Sequence, residues 1–177
     1  MSSLTAFLPH IANEFEMSVH ALYERQRALV RLGLLPRPVG RGRGSGAEAT
    51  PGTVALLIIS VLATDNLSDT DERIKKLAEA KLGPDNSTCA LTGERTFLGA
   101  LAAALASETI ARKVSSIEVS RRASRASLFY LQGRTSWAKE TSFGRSREIL
   151  QFEVHADLHG GAIGRLCKAL TATRATR

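Results

Sequence analysis

The sequence predicts an α+β fold, with a helical N-terminal region, a helical connector and a C-terminal antiparallel β-sheet with a helix. Three observations predict it. Apolar residues recur at helical spacing through most of the first 113 residues, whereas after about residue 115 they alternate as they do in strands. Clusters of Gly, Pro and polar residues separate these segments. The length of 177 residues suffices for one domain with a full core or for two small ones.

Two short helices open the chain. Pro9 lies within the first apolar stripe and predicts a regular helix only over residues 8–15, since proline suits a first turn. Ser18 is well placed as the N-cap of the second helix, and Gly33 is well placed to end it. The first stripe consists of Leu4, Phe7, Leu8, Ile11, Ala12 and Phe15, and the second of Val19, Leu22, Leu29 and Val30.

Polar and basic side chains lie mostly off the apolar stripe of the second helix, and we expect them to project outward together. Arginine and glutamine can read base edges in the major groove through paired hydrogen bonds, while other basic groups neutralise phosphates. The solvated face of an ordinary amphipathic helix would carry the same residue types. The candidate DNA-contacting residues of this helix and its cap are Ser18, His20, Arg25, Gln26, Arg27 and Arg31. Glu24 lies among them on the polar side of the helix.

The segment RPVGRGRGSGAEATP, residues 37–51, follows the second helix. Pro36 and Pro38 exclude further helix, and the alternating glycines favour a flexible tip. Glycine lets backbone amides approach phosphate, so Arg41 and Arg43 are candidates for contacts with the DNA backbone or a minor groove. A plain flexible linker is the alternative. A nucleotide-binding loop is disfavoured, because the segment has no preceding strand and no G-K-[ST] sequence.

A third helix is predicted after the glycine segment. Thr50 and Pro51 are typical of an N-cap and a first turn, and the run over residues 54–63 is apolar on nearly all sides. The predicted order of elements is that of a winged helix-turn-helix: helix, turn, helix, basic glycine tip and buried helix. We assign this module to residues 1–66.

The same region resembles a known family. The segments IANEFEMSVHALYERQRALVRLGLLPRP and TPGTVALLIISVLA resemble the N-terminal domain of MerR-type regulators, in which a recognition helix ends in a GLL turn before a wing. In this chain the segment between Leu22 and Gly33 is about one helical turn longer than in that family. The resemblance implies a DNA-binding winged module, and it carries over no effector and no metal.

The middle of the chain predicts a helical connector in residues 67–91. Ser68 is the expected cap of its helix, and Gly83 followed by Pro84 stops it. The turn-rich stretch PDNSTCALT then marks the boundary to an α+β oligomerisation or sensing domain, which we assign to residues 92–177. A long alanine-rich helix over residues 94–113 begins that domain and suits either self-association or packing within one chain.

Alternating sequence in the last third predicts three antiparallel strands, at residues 116–122, 125–132 and 149–156, followed by a short helix at residues 162–170. Residues 133–146 are either a long hairpin connection or a fourth short strand. The cations Arg134, Lys139, Arg145 and Arg147 lie close to Trp137 in this part of the sequence. Together with Arg121, Arg122 and Arg125, this mixture of one aromatic ring and several cations suits a second nucleic-acid surface or an interface for an acidic partner, and an exposed sheet face that merely carries arginine is the alternative.

Composition restricts the function classes. Lys and Arg number 24 against 17 Asp and Glu, and the resulting net charge of +7 suits a nucleic-acid partner better than an acidic small substrate. Cys89 and Cys167 have no metal-ligand spacing, and no signal peptide or membrane span is evident, so we expect a reduced, soluble, cytoplasmic protein. No catalytic motif is present, and His155 and His159 fall on a strand and a turn. We therefore expect no enzyme, no metal and no cofactor.

Together these features predict a sequence-specific DNA-binding protein, most simply a transcription regulator related to phages or mobile elements. Its expected partners are double-stranded DNA and further copies of itself, with a dimer favoured, and no membrane. A small viral DNA-packaging subunit that assembles into a ring is the first alternative. A protein-binding adaptor, whose winged module contacts an acidic partner, is the second.

Overall fold

The computed structural model describes residues 2–37, 46–65, 70–83, 87–132, 137–144 and 151–175. These residues form a mixed α+β fold with an antiparallel sheet and a C-terminal helix, which confirms the predicted fold class at that level. The elements are, in chain order, α1 (Leu4–Phe15), α2 (Val19–Arg31), α3 (Pro51–Ala63), α4 (Thr70–Ala78), α5 (Phe97–Ala106), α6 (Glu108–Ala111), β1 (Val114–Ser120), β2 (Arg125–Tyr130), β3 (Lys139–Phe143), β4 (His155–His159) and α7 (Gly160–Ala175).

Helix α1 begins four residues earlier than its sequence predicts. The Ser3 hydroxyl accepts a hydrogen bond from the backbone of Ala6 at 3.2 Å, and the amide of Leu4 donates to the carbonyl of Ala47 at 2.7 Å. These contacts fix the first turn, so Pro9 is accommodated inside the helix and removes only the one bond that its missing N–H would have made. The predicted start at residue 8 is therefore wrong.

The predicted ends of α2 and the start of α3 are confirmed. Ser18 caps α2 by accepting a hydrogen bond from the amide of Ala21 at 3.1 Å, and Gly33 follows the helix with a φ of +71°. Thr50 and Thr53 satisfy each other's backbone amides in a reciprocal cap at the start of α3. Local cap chemistry is thus present at each of these boundaries. Ser68, the predicted cap of α4, lies outside the described residues.

The long helix predicted over residues 94–113 is in fact two helices. Ser107 adopts extended backbone angles of φ −134° and ψ 116°, and its hydroxyl accepts from the amide of Ile110 at 3.4 Å. Thr96 caps α5 in the same way through the amide of Gly99. Hydroxyl side chains compete with the helix for backbone donors, and at Ser107 this competition ends α5 and begins α6.

The four strands form one antiparallel sheet in the order β3-β2-β1-β4. The register joins Ile117 to Leu128 on one side and to Leu158 on the other, so buried side chains from three strands line the face toward the helices. The first two predicted strands are confirmed as β1 and β2, allowing for shifted ends. Of the two readings of residues 133–146, the fourth short strand is correct.

The strand predicted over residues 149–156 is wrong for residues 151–154, and only His155 and Ala156 of the prediction belong to a strand. Strand β4 starts only at His155, and Phe152 is 64% exposed instead of facing the core. Its ring instead lies under the guanidinium of Arg122, which is 5.8 Å from the ring centroid. Alternation of apolar residues therefore does not correspond to burial here.

One continuous apolar core joins the three parts predicted from sequence. Ile11 of α1, Leu57 of α3, Leu101 of α5 and Leu166 of α7 are all buried and belong to the same cluster. Helix α3 packs on α5, and α1 packs on α7. The predicted parts share this core, and their separate functional roles stay predictions. Both cysteines are thiols buried in the same core.

Candidate nucleic-acid interface

The outward side of α2 carries one exposed side chain from each of its turns. The four residues follow each other at intervals of four, which places them in a single row along the helix. The row combines an aliphatic group, an aromatic ring and two guanidinium groups, so it offers apolar contact, stacking and paired hydrogen bonds to one partner. We call it the α2 outer row, and it consists of Val19, Tyr23, Arg27 and Arg31.

Two further side chains flank the α2 outer row. His20 is exposed beside it, and Glu24 accepts a hydrogen bond from Arg27 at 3.0 Å. Of the predicted residues, His20, Arg27 and Arg31 are thus brought together on the exposed surface. Sequence reasoning missed Tyr23, although its spacing of four from Arg27 could have indicated it.

Ser18 stands at the start of the same helix as its N-cap. Its hydroxyl is used by the amide of Ala21, and the residue itself is exposed. The capping role is therefore structural and independent of any ligand. A contact between Ser18 and DNA stays a prediction.

Arg25 and Gln26 do not project outward, so their predicted orientation is wrong. They are 5% and 7% exposed. Arg25 donates from Nη1 to the carbonyl of Ser60 at 2.7 Å, and Gln26 donates from Nε2 to the hydroxyl of Thr5 at 3.1 Å. Their polar groups are thus used inside the protein, on α3 and α1.

Helical spacing explains the burial of this pair. Arg25 and Gln26 follow the buried Leu22 by three and four residues, and they precede the buried Leu29 by four and three. Residues at these intervals share one helix face, so both lie within the inward stripe despite their polar character. Residue type suggests the opposite orientation, because arginine and glutamine are mostly exposed in proteins.

Arg25 meets Arg121 at the C-terminal end of α3. Arg121 donates from Nε to the carbonyl of Leu62 at 2.9 Å and pairs with the carboxylate of Asp65. Burial lowers the pKa of Arg25, the nearby Asp65 raises it, and the positive charge of Arg121 lowers it. Two cations thus satisfy the last carbonyls of α3, where the helix dipole favours positive charge.

The predicted wing residues Arg41 and Arg43 lie outside the described residues. The described residues that follow them are anchored near the start of α1. Ser3 and Glu48 form an antiparallel bridge, and the amide of Ala49 donates to the carbonyl of Ser2 at 2.9 Å. On the other side Leu35 is buried and Arg37 is exposed.

Of the second basic surface predicted in the last third, Arg134, Arg145 and Arg147 lie outside the described residues, and Arg121, Arg122 and Arg125 are not equally available. Arg121 is engaged at the end of α3, and Arg122 stacks on Phe152. Arg125 is half-buried at the start of β2, and its charge contributes to lowering the pKa of Glu140, after the larger effect of hydrogen bonds from Ser142 and Ser127. Arg121 thus serves the fold, and Arg122 is also partly engaged.

The described part of the chain offers neither a metal cluster nor a membrane-spanning helix. Its His, Cys, Asp and Glu side chains include no group of three or more arranged to hold a metal ion. None of its helices combines the length and apolar character that crossing a membrane requires.

Comparison of the chain with protein-family models, with curated proteins and with solved structures gives no match in any of the three.

Proposed function

We propose that this protein binds double-stranded DNA in a sequence-specific manner and acts as a transcription regulator, of the kind that phages and mobile elements carry. The observation that carries the proposal is the α2 outer row, where Tyr23, Arg27 and Arg31 are exposed on one face of a capped helix. The resemblance of the first third to MerR-type regulators and the net charge of +7 are in keeping with it.

In this proposal α2 enters the major groove. Arg27 and Arg31 have the paired donors that recognise guanine, and Tyr23 offers a ring and a hydroxyl to a base or a phosphate. Ser18 and His20 would contact the backbone near the helix start. Arg41 and Arg43 would act as the wing, against a phosphate backbone or a minor groove.

Buried Arg25 and Gln26 support the proposal in an indirect way. Their hydrogen bonds to Ser60 and Thr5 tie α2 to both neighbouring helices. A helix held from behind presents its outward side chains in a fixed arrangement, which reduces the ordering cost of binding. We therefore assign these two residues to positioning the helix, in place of contact with DNA.

The first experiment measures binding of the full chain to a pool of genomic DNA fragments by fluorescence anisotropy at two salt concentrations, followed by sequencing of the bound fraction. We expect binding that weakens with salt, because phosphate contacts release counterions, and enrichment of a short inverted repeat. Equal binding of all fragments would contradict sequence-specific recognition. Sizing of the free protein should give a dimer.

A pair of variants tests the α2 outer row. The double change Arg27→Ala and Arg31→Ala should weaken binding and reduce the slope of log affinity against log salt by up to about two units. The matched control is Lys75→Ala with Lys76→Ala, which removes two exposed positive charges from α4. If both double variants weaken binding equally, α2 is not the recognition helix and only net charge matters.

A second pair of changes tests the wing. Arg41→Ala with Arg43→Ala should also flatten the salt dependence by up to about two units, while leaving the enriched sequence motif largely unchanged if the wing contacts only the backbone. Unchanged affinity and an unchanged slope would mean that the glycine segment is a linker and not a DNA-binding wing.

The adaptor alternative is favoured by one specific observation. Val19 and Tyr23 are among the few large apolar side chains exposed in the described part of the chain, and both lie on the α2 outer row. A protein partner would use such groups as anchors. In that case salt-sensitive DNA binding would be absent, whereas a ring on sizing would indicate the DNA-packaging subunit.

A further inference from the structure

A cavity of about 230 Å³ lies where α6 and the start of β1 meet α7. Ala111 and Val114 contribute an apolar wall, and Gly161 and Gly164 of α7 form part of the opposite side. Pockets for drug-sized ligands usually hold about 300 to 1,000 Å³, so this cavity suits a smaller molecule. It lies outside the residues assigned to DNA binding.

The rim of the cavity carries a positive excess. Arg112, Arg165 and Lys168 line it together with a single carboxylate, that of Glu108. Glu108 is engaged by Arg112 at 3.1 Å. Arg165 is paired with Glu14 of α1, so Lys168 of α7 adds one positive charge beyond the two ion pairs, which favours an anionic occupant.

Arg165 is held in a fixed orientation by α1. Its Nε and Nη2 donate to the carboxylate of Glu14 at 2.7 to 2.9 Å, and the Glu14 side chain is only 6% exposed. These hydrogen bonds also raise the pKa of Arg165. These hydrogen bonds use the edge of the guanidinium that carries Nε and Nη2, and Nη1 lies on the opposite edge, outside the pair with Glu14.

Gly161 lies close to that remaining nitrogen. A Cβ atom at Gly161 would lie 3.4 Å from Nη1 of Arg165, which is an ordinary contact distance, so this nitrogen lies beside the first turn of α7. A Cβ atom at Gly164 would meet nothing within 4 Å. The second glycine therefore faces open space, beside the same cavity.

We propose that this cavity binds a small organic anion, a phosphate monoester or a carboxylate that carries an apolar group. The anionic oxygens would accept hydrogen bonds from Nη1 of Arg165 and from Nζ of Lys168, and the apolar group would pack on Ala111 and Val114. Glu14 acts as a positioning residue, since it orients Arg165 without touching the ligand. This inference is independent of the proposed function, because its test measures ligand binding without DNA.

The test is an NMR titration of the isotope-labelled full chain with three probes of similar size: phenyl phosphate, benzoate and benzyl alcohol. We expect saturable shifts of the Gly161 and Gly164 amides with at least one of the two anions, at a Kd below about 1 mM. Benzyl alcohol should bind at least about tenfold more weakly, because it lacks the charge. Equal binding of the neutral probe, or no saturable shift at these amides with either anion, would overturn the inference.

Variants separate the cavity from general surface charge. Gly164→Leu should fill the open space and weaken binding of the anion at least about tenfold, while every charge is retained. This change also replaces glycine inside a helix by a good helix former, so the fold should be kept. Lys168→Glu should weaken anion binding as well, and Lys75→Glu on α4 should leave it unchanged. Wild-type affinity in the Gly164→Leu variant would overturn the inference.

Discussion

Arg25 connects α2 to the end of α3 through hydrogen bonds to the carbonyls of Ser60 and Asp65. The carbonyl of Ser60 belongs to the last turn of α3, where the helix dipole favours a positively charged donor. Because this site is buried, no water can easily replace the guanidinium as donor. The contribution of Arg25 to stability therefore comes mainly from what its removal would leave unsatisfied.

Arg25→Met should lower the free energy of unfolding by about 2 kcal/mol, because it keeps most of the side-chain volume but leaves the buried Ser60 carbonyl without its donor. Urea denaturation followed by circular dichroism measures this. The control is Arg27→Met on the exposed side of α2, which should change stability by less than about 0.5 kcal/mol. Similar losses in both variants would contradict the structural role of Arg25.

Single residues differ in how far the sequence reveals their role. Ser18, Thr50 and Pro51 have the roles that their sequence predicts, because capping depends on neighbours within three residues in the chain. The role of Arg25 is not predictable in this way, since its partners Ser60 and Asp65 lie 35 and 40 residues away. The candidate site is therefore predicted in part: the helix is found, but two of its six proposed contacts face inward.

Helix α7 contains glycines in two opposite environments. Gly160 lies against β1, where a Cβ atom would come within 1.9 Å of the carbonyl oxygen of Val114. At Gly164 the space that a Cβ atom would enter is open, with nothing within 4 Å. The first glycine is required by a close approach of two backbones, and the second only costs the helix conformational entropy.

Gly160→Ala should therefore destabilise the protein by about 3 kcal/mol, since the methyl group meets backbone that cannot move without disturbing the sheet. Gly164→Ala should stabilise it by about 0.5 to 1 kcal/mol, because alanine is the better helix former. Thermal or urea unfolding of the two variants gives both values. A loss of stability in Gly164→Ala would show that the second position is not open.

The N-cap of α3 is a second feature that acts at the scale of a single helix. Thr50→Ala removes the hydroxyl that accepts from the amide of Thr53, and we expect a loss of about 1 kcal/mol in the free energy of unfolding. Thr88→Ala serves as the control, because Thr88 is exposed and outside the helices. If the two changes have equal effects, the cap does not contribute.

Hydrophobic periodicity along the sequence fails to predict the secondary structure in two places. A hydroxyl at Ser107 divides one expected helix into two, and the apolar alternation before His155 does not produce a strand. In both places the apolar pattern is compatible with more than one structure; at Ser107 a local cap decides, whereas before His155 a tertiary contact takes up the apolar side chain. Phe152, for example, stacks under Arg122 instead of entering the core.

At the scale of the whole molecule, the core runs without interruption from the first helix to the last. Residues as distant as Glu14 and Arg165 form a paired hydrogen bond across the contact of α1 with α7. The fold class follows from the change of hydrophobic period along the chain. The packing of α1 on α7 does not, because no local pattern records which helices meet.

We expect the chain to unfold in a single cooperative transition, since a continuous core links all described elements. Far-UV circular dichroism reports the helices, and near-UV circular dichroism reports the packing of aromatic side chains, among them the buried Tyr130 and Phe143 on the sheet. The two curves should coincide during urea unfolding. Two separated transitions would instead indicate that the N-terminal helices and the sheet are independent units.

The two buried cysteines make this cooperativity measurable in time. Cys89 precedes α5 and Cys167 lies within α7, and both thiols are shielded in the folded protein. A thiol reagent can modify either one only during the moments when its surroundings open. The two modification rates therefore report how often each region opens. Equal rates mean that both regions open together, and a faster rate at one cysteine identifies the region that detaches first.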